Sequence, residues 1–110
     1  MSGQPLTSVL GVNATQTSTT VTISKADLVN VGLTPSATND GEAIFIAIVL
    51  LAKQFLTTAN QTATPAIQTI INDAVQPSFV TRSGQVYRRD TINVALDKLA
   101  VSSTIDPDDY

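Results

Sequence analysis

The segment from Gly41 to Thr58 narrows most what this chain can fold into. At about 100° per residue, Ile44, Ile48, Leu51 and Phe55 form one stripe of a helix. Phe45, Val49 and Leu56 form a second stripe beside it, and Ile46 and Leu50 lie nearly opposite the first. Only Ala47 and Gln54 leave a narrow gap. A helix that is apolar all round is buried all round. One small sheet covers one face, so the rest needs another cover. The helix therefore predicts a symmetric homo-oligomer, dimer or trimer, with Ile44, Phe45, Ile46, Ile48, Val49 and Leu50 at the contact. Asn39 or Asp40 suits the N-cap, and Glu42 suits the positive end of the helix dipole. The longest apolar run, Ala43 to Ala52, is ten residues. A membrane span needs roughly 20, so no membrane partner is expected.

Around this helix the chain divides into three parts. Residues 1–13 are polar, with Gly3, Pro5, Gly11 and Asn13, and predict an extended N-terminal arm. Residues 14–98 predict the single folded domain. Within it, 14–24 are Thr-rich and predict a strand with Thr19, Val21 and Ile23 on one face. Ser24-Lys25-Ala26-Asp27 resembles a capping box with Asp in place of Glu, and predicts a short helical turn. Gly32 through Gly41 read as a loop. Residues 64–76 predict a second, short helix: Thr64 is a possible cap, Pro65 fits the first helical position, and Ile67, Ile70, Ile71, Ala74 and Val75 recur at helical spacing. A strand through Ile67 to Ile71 is the alternative. Residues 78–82 and 85–98 predict a β-hairpin turning at Ser83-Gly84. Residues 99–110 predict an acidic C-terminal arm. Leu6, Val9, Leu10, Val101, Ile105 and Tyr110 are isolated anchors on the two arms, so removing either arm is expected to leave the core's melting temperature almost unchanged while weakening attachment to a partner.

Composition restricts the chemistry. The 110 residues contain no Cys and no His, which removes thiolate chemistry, disulfides, the commonest general base and the commonest transition-metal ligand. Charged residues make up 14%, against about 25% in ordinary domains, and sixteen threonines fill much of the difference. Such a surface suits burial against neighbours, because interface centres are depleted in charge. The net charge of −3 argues against a nucleic-acid partner. The opening Met1-Ser2-Gly3-Gln4-Pro5 carries no positive charge and leads into no apolar stretch, so it does not read as a secretory signal, and synthesis in the cytoplasm without Sec export is expected.

Few residues are candidates for chemistry. Asp40 and Glu42 are explained by the helix start. Asp106-Pro107-Asp108-Asp109 lacks the glycine and distal glutamate of a calcium loop and reads as a solvated acidic tail. Arg82, Arg88 and Arg89 cluster around Tyr87, with Asp90 available to pair with one of them. Arginine and tyrosine are favoured interface anchors, so Arg82, Tyr87, Arg88, Arg89, Ile105 and Tyr110 are the expected partner contacts. No catalytic, cofactor-binding or metal-ligating set is assigned, and no cofactor is expected.

The stretches Thr15-Gln16-Thr17 and Thr22-Ile23-Ser24-Lys25-Ala26-Asp27-Leu28, the blocks Phe79-Val80-Thr81-Arg82 and Tyr87-Arg88-Arg89-Asp90, and the ending Ser103-Thr104-Ile105-Asp106-Pro107-Asp108-Asp109-Tyr110 resemble small proteins encoded beside structural genes of tailed phages and prophages, cyanophage-related ones especially. The resemblance covers about half the chain and carries over no site residue. It implies a non-enzymatic virion component, foremost a capsid cement (decoration) protein contacting itself and the major capsid protein or another virion protein. The alternative it implies is a head–tail connector, neck or tail assembly protein. A small ligand-binding domain or enzyme is the remaining class. The expected architecture is α+β: a small antiparallel β-sheet packed on one long apolar helix, a second short helix, and extended arms at both ends.

Overall fold

A computed structural model of the chain describes residues 3–73, 76–98 and 104–110. The fold is α+β, with antiparallel strand pairs and helices. Helix α1 spans Leu6–Leu10, and strands β1 (Thr15–Gln16) and β2 (Val21–Thr22) follow. Helix α2 covers Lys25–Leu28 and runs into a 3-10 turn at Val29–Val31. Helix α3 (Gly41–Phe55) and helix α4 (Thr58–Ala63) precede strands β3 (Thr69–Asp73), β4 (Ser78–Arg82), β5 (Gln85–Arg89) and β6 (Ile92–Leu96).

Helix α3 starts where its capping residue places it. The Asp40 carboxylate accepts from the Ala43 backbone N–H at 2.8 Å, and Glu42 lies in the first turn. The helix stops at Phe55, three residues short of the expected end. Leu56 leaves helical geometry, and the Thr57 hydroxyl accepts from Asn60 N–H at 3.0 Å, which caps α4. The C-terminal half of α3 lies on β3. Ala52, Leu56, Ile67 and Ile71 are buried together, with Val9, Val49, Phe55 and Ile92 packed around them. The Ile71 N–H donates to the Leu56 carbonyl at 2.9 Å, and Lys53 Nζ meets Asp73 Oδ2 at 2.6 Å, so helix and strand are tied at both polar and apolar points.

Several expectations are corrected. The second helix is not at 64–76; Ala74 and Val75 of that expectation lie outside the described residues. Thr69, Ile70 and Ile71 are β-branched and pair with β6, in register Thr69↔Leu96 to Asp73↔Ile92, so the strand alternative holds from Thr69 on, starting two residues later than Ile67 and running past Ile71 to Asp73. The expected hairpin partner 85–98 is two strands. β5 pairs with β4, and β6 crosses to β3. The Thr-rich strand is instead a minimal pair, Thr15↔Thr22 and Gln16↔Val21, exposed and without extensive contact with α3. Its hydroxyls explain the break. Thr17 Oγ1 accepts from the Thr19 and Thr20 N–H groups at 3.3 and 3.1 Å and lies 2.8 Å from Thr20 Oγ1, which closes a turn in place of a straight strand. Ser24 does cap α2 through Ala26 N–H at 3.2 Å, but Asp27 does not reach back to complete a capping box. Its carboxylate accepts from Asn13 N–H and Asn13 Nδ2, each at 3.0 Å.

The N-terminal segment is not an extended arm. Its residues Leu6–Leu10 form α1, which lies along α3, with Leu6, Val9 and Leu10 half-buried and Val9 on the core. The C-terminal segment is also held to the body over its described part; Val101 lies outside the described residues. Lys98 Nζ bonds Asp109 Oδ2 at 3.0 Å and also donates to the Thr104 carbonyl. Gln68 Nε2 donates to the Asp109 carbonyl at 3.2 Å. Removing the first ten residues is therefore expected to lower the melting temperature rather than leave it unchanged, because it uncovers the apolar side chains beneath Val9. Each half-buried aliphatic group lost is worth about 1 kcal/mol. Thermal unfolding followed by circular dichroism measures it.

Candidate protein-contact surface

Nothing among the described residues gathers three or more acidic, His or Cys side chains in a way that could hold a metal ion. The acidic tail is used within the chain. Asp106 Oδ1 accepts from Asp108 N–H at 3.0 Å, and Asp109 meets Lys98. No helix among the described residues is long and apolar enough to cross a membrane. The surfaces that stand out among the described residues are exposed apolar side chains and the arginines near them.

The first surface is the N-terminal half of α3. Glu42, Phe45 and Ile46 fall at i, i+3 and i+4, so they share one face. Phe45 is 66% exposed and Ile46 54%, beside Asp40 and Glu42, neither of which has a cationic partner among the described residues. Of the other residues expected at the oligomer contact, Ile44, Ile48 and Leu50 are half-buried. Val49 packs against the core and is committed there. The helix is thus not enclosed all round: the core takes Ala52 and its neighbours, and Phe45 and Ile46 stay open.

The second surface is the β4–β5 hairpin. Its two-residue turn has both central residues at positive φ, Ser83 at 51° and Gly84 at 78°, the geometry that matches strand twist in a tight hairpin. The register pairs Phe79↔Arg88 and Thr81↔Val86 on one face, and Ser78↔Arg89, Val80↔Tyr87 and Arg82↔Gln85 on the other. Phe79 is 70% and Val86 72% exposed. The Arg82 guanidinium sits over the Tyr87 ring at 4.4 Å, so these two expected contacts satisfy each other. Arg88 Nε bonds Asp90 at 3.0 Å in an exposed pair, and Arg89 has no carboxylate partner among the described residues. Among the described residues the hairpin pairs with no other strand and makes no extensive contact with the body.

The tail splits the remaining two expected contacts. Ile105 is exposed, whereas Tyr110 is half-buried, with its carbonyl close to Gly3, and is not a free anchor. Sequence reasoning missed a further apolar flank: Val94 and Leu96 of β6 share a sheet face with buried Ile71 yet stay exposed, since of that strand only Ile92 packs on the core. Their alternation with Asn93 and Ala95 was the available signal. No protein-family model, curated protein or solved structure is significantly similar to this chain.

Proposed function

We propose that this protein is a non-enzymatic structural component of a phage particle, foremost a capsid cement protein, that acts as a homo-oligomer through protein–protein contacts. The observation that carries the assembly part is surface. The chain exposes 7875 Å². A compact monomer of 11.6 kDa exposes about 5,800 Å² by the usual size scaling. Its radius of gyration is 16.2 Å, against about 13 Å for a compact domain of this length. The excess, about 2,000 Å² on one chain, is more than twice the roughly 800 Å² that each partner contributes to a standard interface, enough for two contact surfaces. It is apolar in places where a monomer gains nothing by exposure: Phe45, Ile46, Phe79, Val86, Val94 and Leu96.

The particle part rests on the resemblance of the Thr-rich opening, the two hairpin blocks and the tail to virion structural proteins. A head–tail connector or neck protein is the second reading. The projecting hairpin favours it, since an arm reaching to the next copy is a head-to-tail contact, and such contacts close rings.

Light scattering of the purified chain at micromolar concentration is expected to give a dimer, a trimer or a larger closed ring. A stable monomer that binds no hydrophobic dye overturns the assembly reading. Copy number in purified particles separates the two particle readings: a cement protein follows the capsid lattice, a neck protein a single ring of about a dozen.

A further inference from the structure

We infer that the β4–β5 hairpin of one copy docks on the N-terminal half of α3 of a second copy, with Phe79 and Val86 against Phe45 and Ile46, and Arg88 against Glu42. This deepens the assembly reading and rests on it.

An isolated two-stranded hairpin is at best marginally stable in water, and this one has two unpaired edges and no extensive packing against its own body. It needs a third element. Charge says which one. All three arginines of the chain lie on the hairpin, accompanied by Asp90, while the rest of the chain carries three lysines against eight carboxylates. The lysines are taken: Lys53 by Asp73, Lys98 by Asp109, and Lys25 by the Ser36 carbonyl at 2.7 Å. A basic, apolar hairpin on an acidic body is complementary to another copy of that body.

The match extends to geometry. One hairpin face presents Phe79, Val86 and Arg88 together. One helix face presents Glu42, Phe45 and Ile46 together, and of the exposed large apolar side chains on α3 these two lie beside carboxylates that no lysine or arginine pairs. The Arg88–Asp90 pair is two-thirds exposed on both sides and contributes little, so Arg88 is free to exchange partners. The surface excess is enough for the contact.

The cysteine-free chain makes the test direct. Two single variants of the full chain, Val86→Cys and Ile46→Cys, are mixed and oxidised, and a Val86→Cys with Val12→Cys mixture serves as control, Val12 being exposed and placed beside Leu51 and Phe55 at the other end of α3. The expected product is a disulfide-linked pair of the two different variants, well above control. Adding Arg88→Glu to the hairpin variant is expected to cut its yield roughly tenfold, and adding Glu42→Arg to the helix variant to restore it. Dominant linkage of Val86→Cys to itself overturns the inference in favour of hairpin–hairpin pairing. Closure within a monomer, when both substitutions are in one chain, overturns it in favour of a hairpin folded on its own body. If the unsubstituted chain is oligomeric by light scattering but the mixed pair does not exceed control, the docking inference alone fails. If the unsubstituted chain is monomeric, the assembly reading fails with it.

Discussion

Replacing Ile67 with Ala is expected to cost about 2–5 kcal/mol, enough to bring a domain of this size to the edge of unfolding. Ile67 is 2% exposed and lies among Ala52, Leu56 and Ile71, where α1, α3, β3 and β6 meet. Its backbone is held as well: the carbonyl accepts from Gln61 Nε2 at 2.9 Å, so the surroundings have little freedom to collapse into the space left. The buried set is small, and among the described residues only Leu28 and Ile67 of the larger side chains are almost fully enclosed. A loss at either is therefore a large share of the total. Urea unfolding followed by circular dichroism measures the change, with exposed Ile105→Ala as a comparison expected to stay within about 0.5 kcal/mol. Equal effects at both positions would mean that the core described around Ile67 does not carry the stability.

Gly11→Ala is the second substitution with a large expected effect, about 3 kcal/mol from strain and collision together. Gly11 has φ 105° and ψ 150°, a region open essentially to glycine alone. An added Cβ there would stand 2.5 Å from Asp27 Oδ2 and 2.8 Å from Asp27 Cβ. Asp27 cannot simply swing away, because its carboxylate is the acceptor for both Asn13 N–H and Asn13 Nδ2. The clamp fastens the turn after α1 to α2. Opening it frees α1 from α3 and exposes the apolar residues beneath Val9. Gly32→Ala is the comparison without a collision: Gly32 also has positive φ, at 107°, but its ψ of 1° lies in the milder left-handed region and nothing is within 4 Å of its would-be Cβ, so a smaller loss from backbone strain alone is expected. Thermal melts that fall equally for the two variants would show that the Asp27 contact contributes nothing.

Both effects arise at contacts distant in sequence, and that marks the boundary of what the chain's letters reveal. Local signals were legible. Asp40 caps α3, Ser24 caps α2, and Ser83-Gly84 turns the hairpin, because each depends on a few neighbouring residues and on side-chain oxygens or dihedral freedom that residue type alone supplies. The apolar excess of residues 44–50 was equally legible, since no arrangement of one small sheet encloses it; Phe45 and Ile46 remain open as a result. The cluster of Arg82, Tyr87, Arg88 and Arg89 does sit on one projecting element, as its spacing in the chain requires.

What the tertiary structure decided is which backbone groups pair and which faces are covered. Ile67, Ile70 and Ile71 fit a helical period and a strand equally well, and only the presence of β6 in register resolves the ambiguity toward β3. The threonines of 15–22 have strand propensity, but a hydroxyl of Thr17 that bonds its own neighbours turns the chain back before a long strand can form. Residues 6–10 contain too few apolar groups to order by themselves, and they form a helix because α3 offers them a surface. The separation of β5 from β6 has the same origin: a strand follows the partner that satisfies its backbone hydrogen bonds, and that partner is chosen across the fold rather than along the chain.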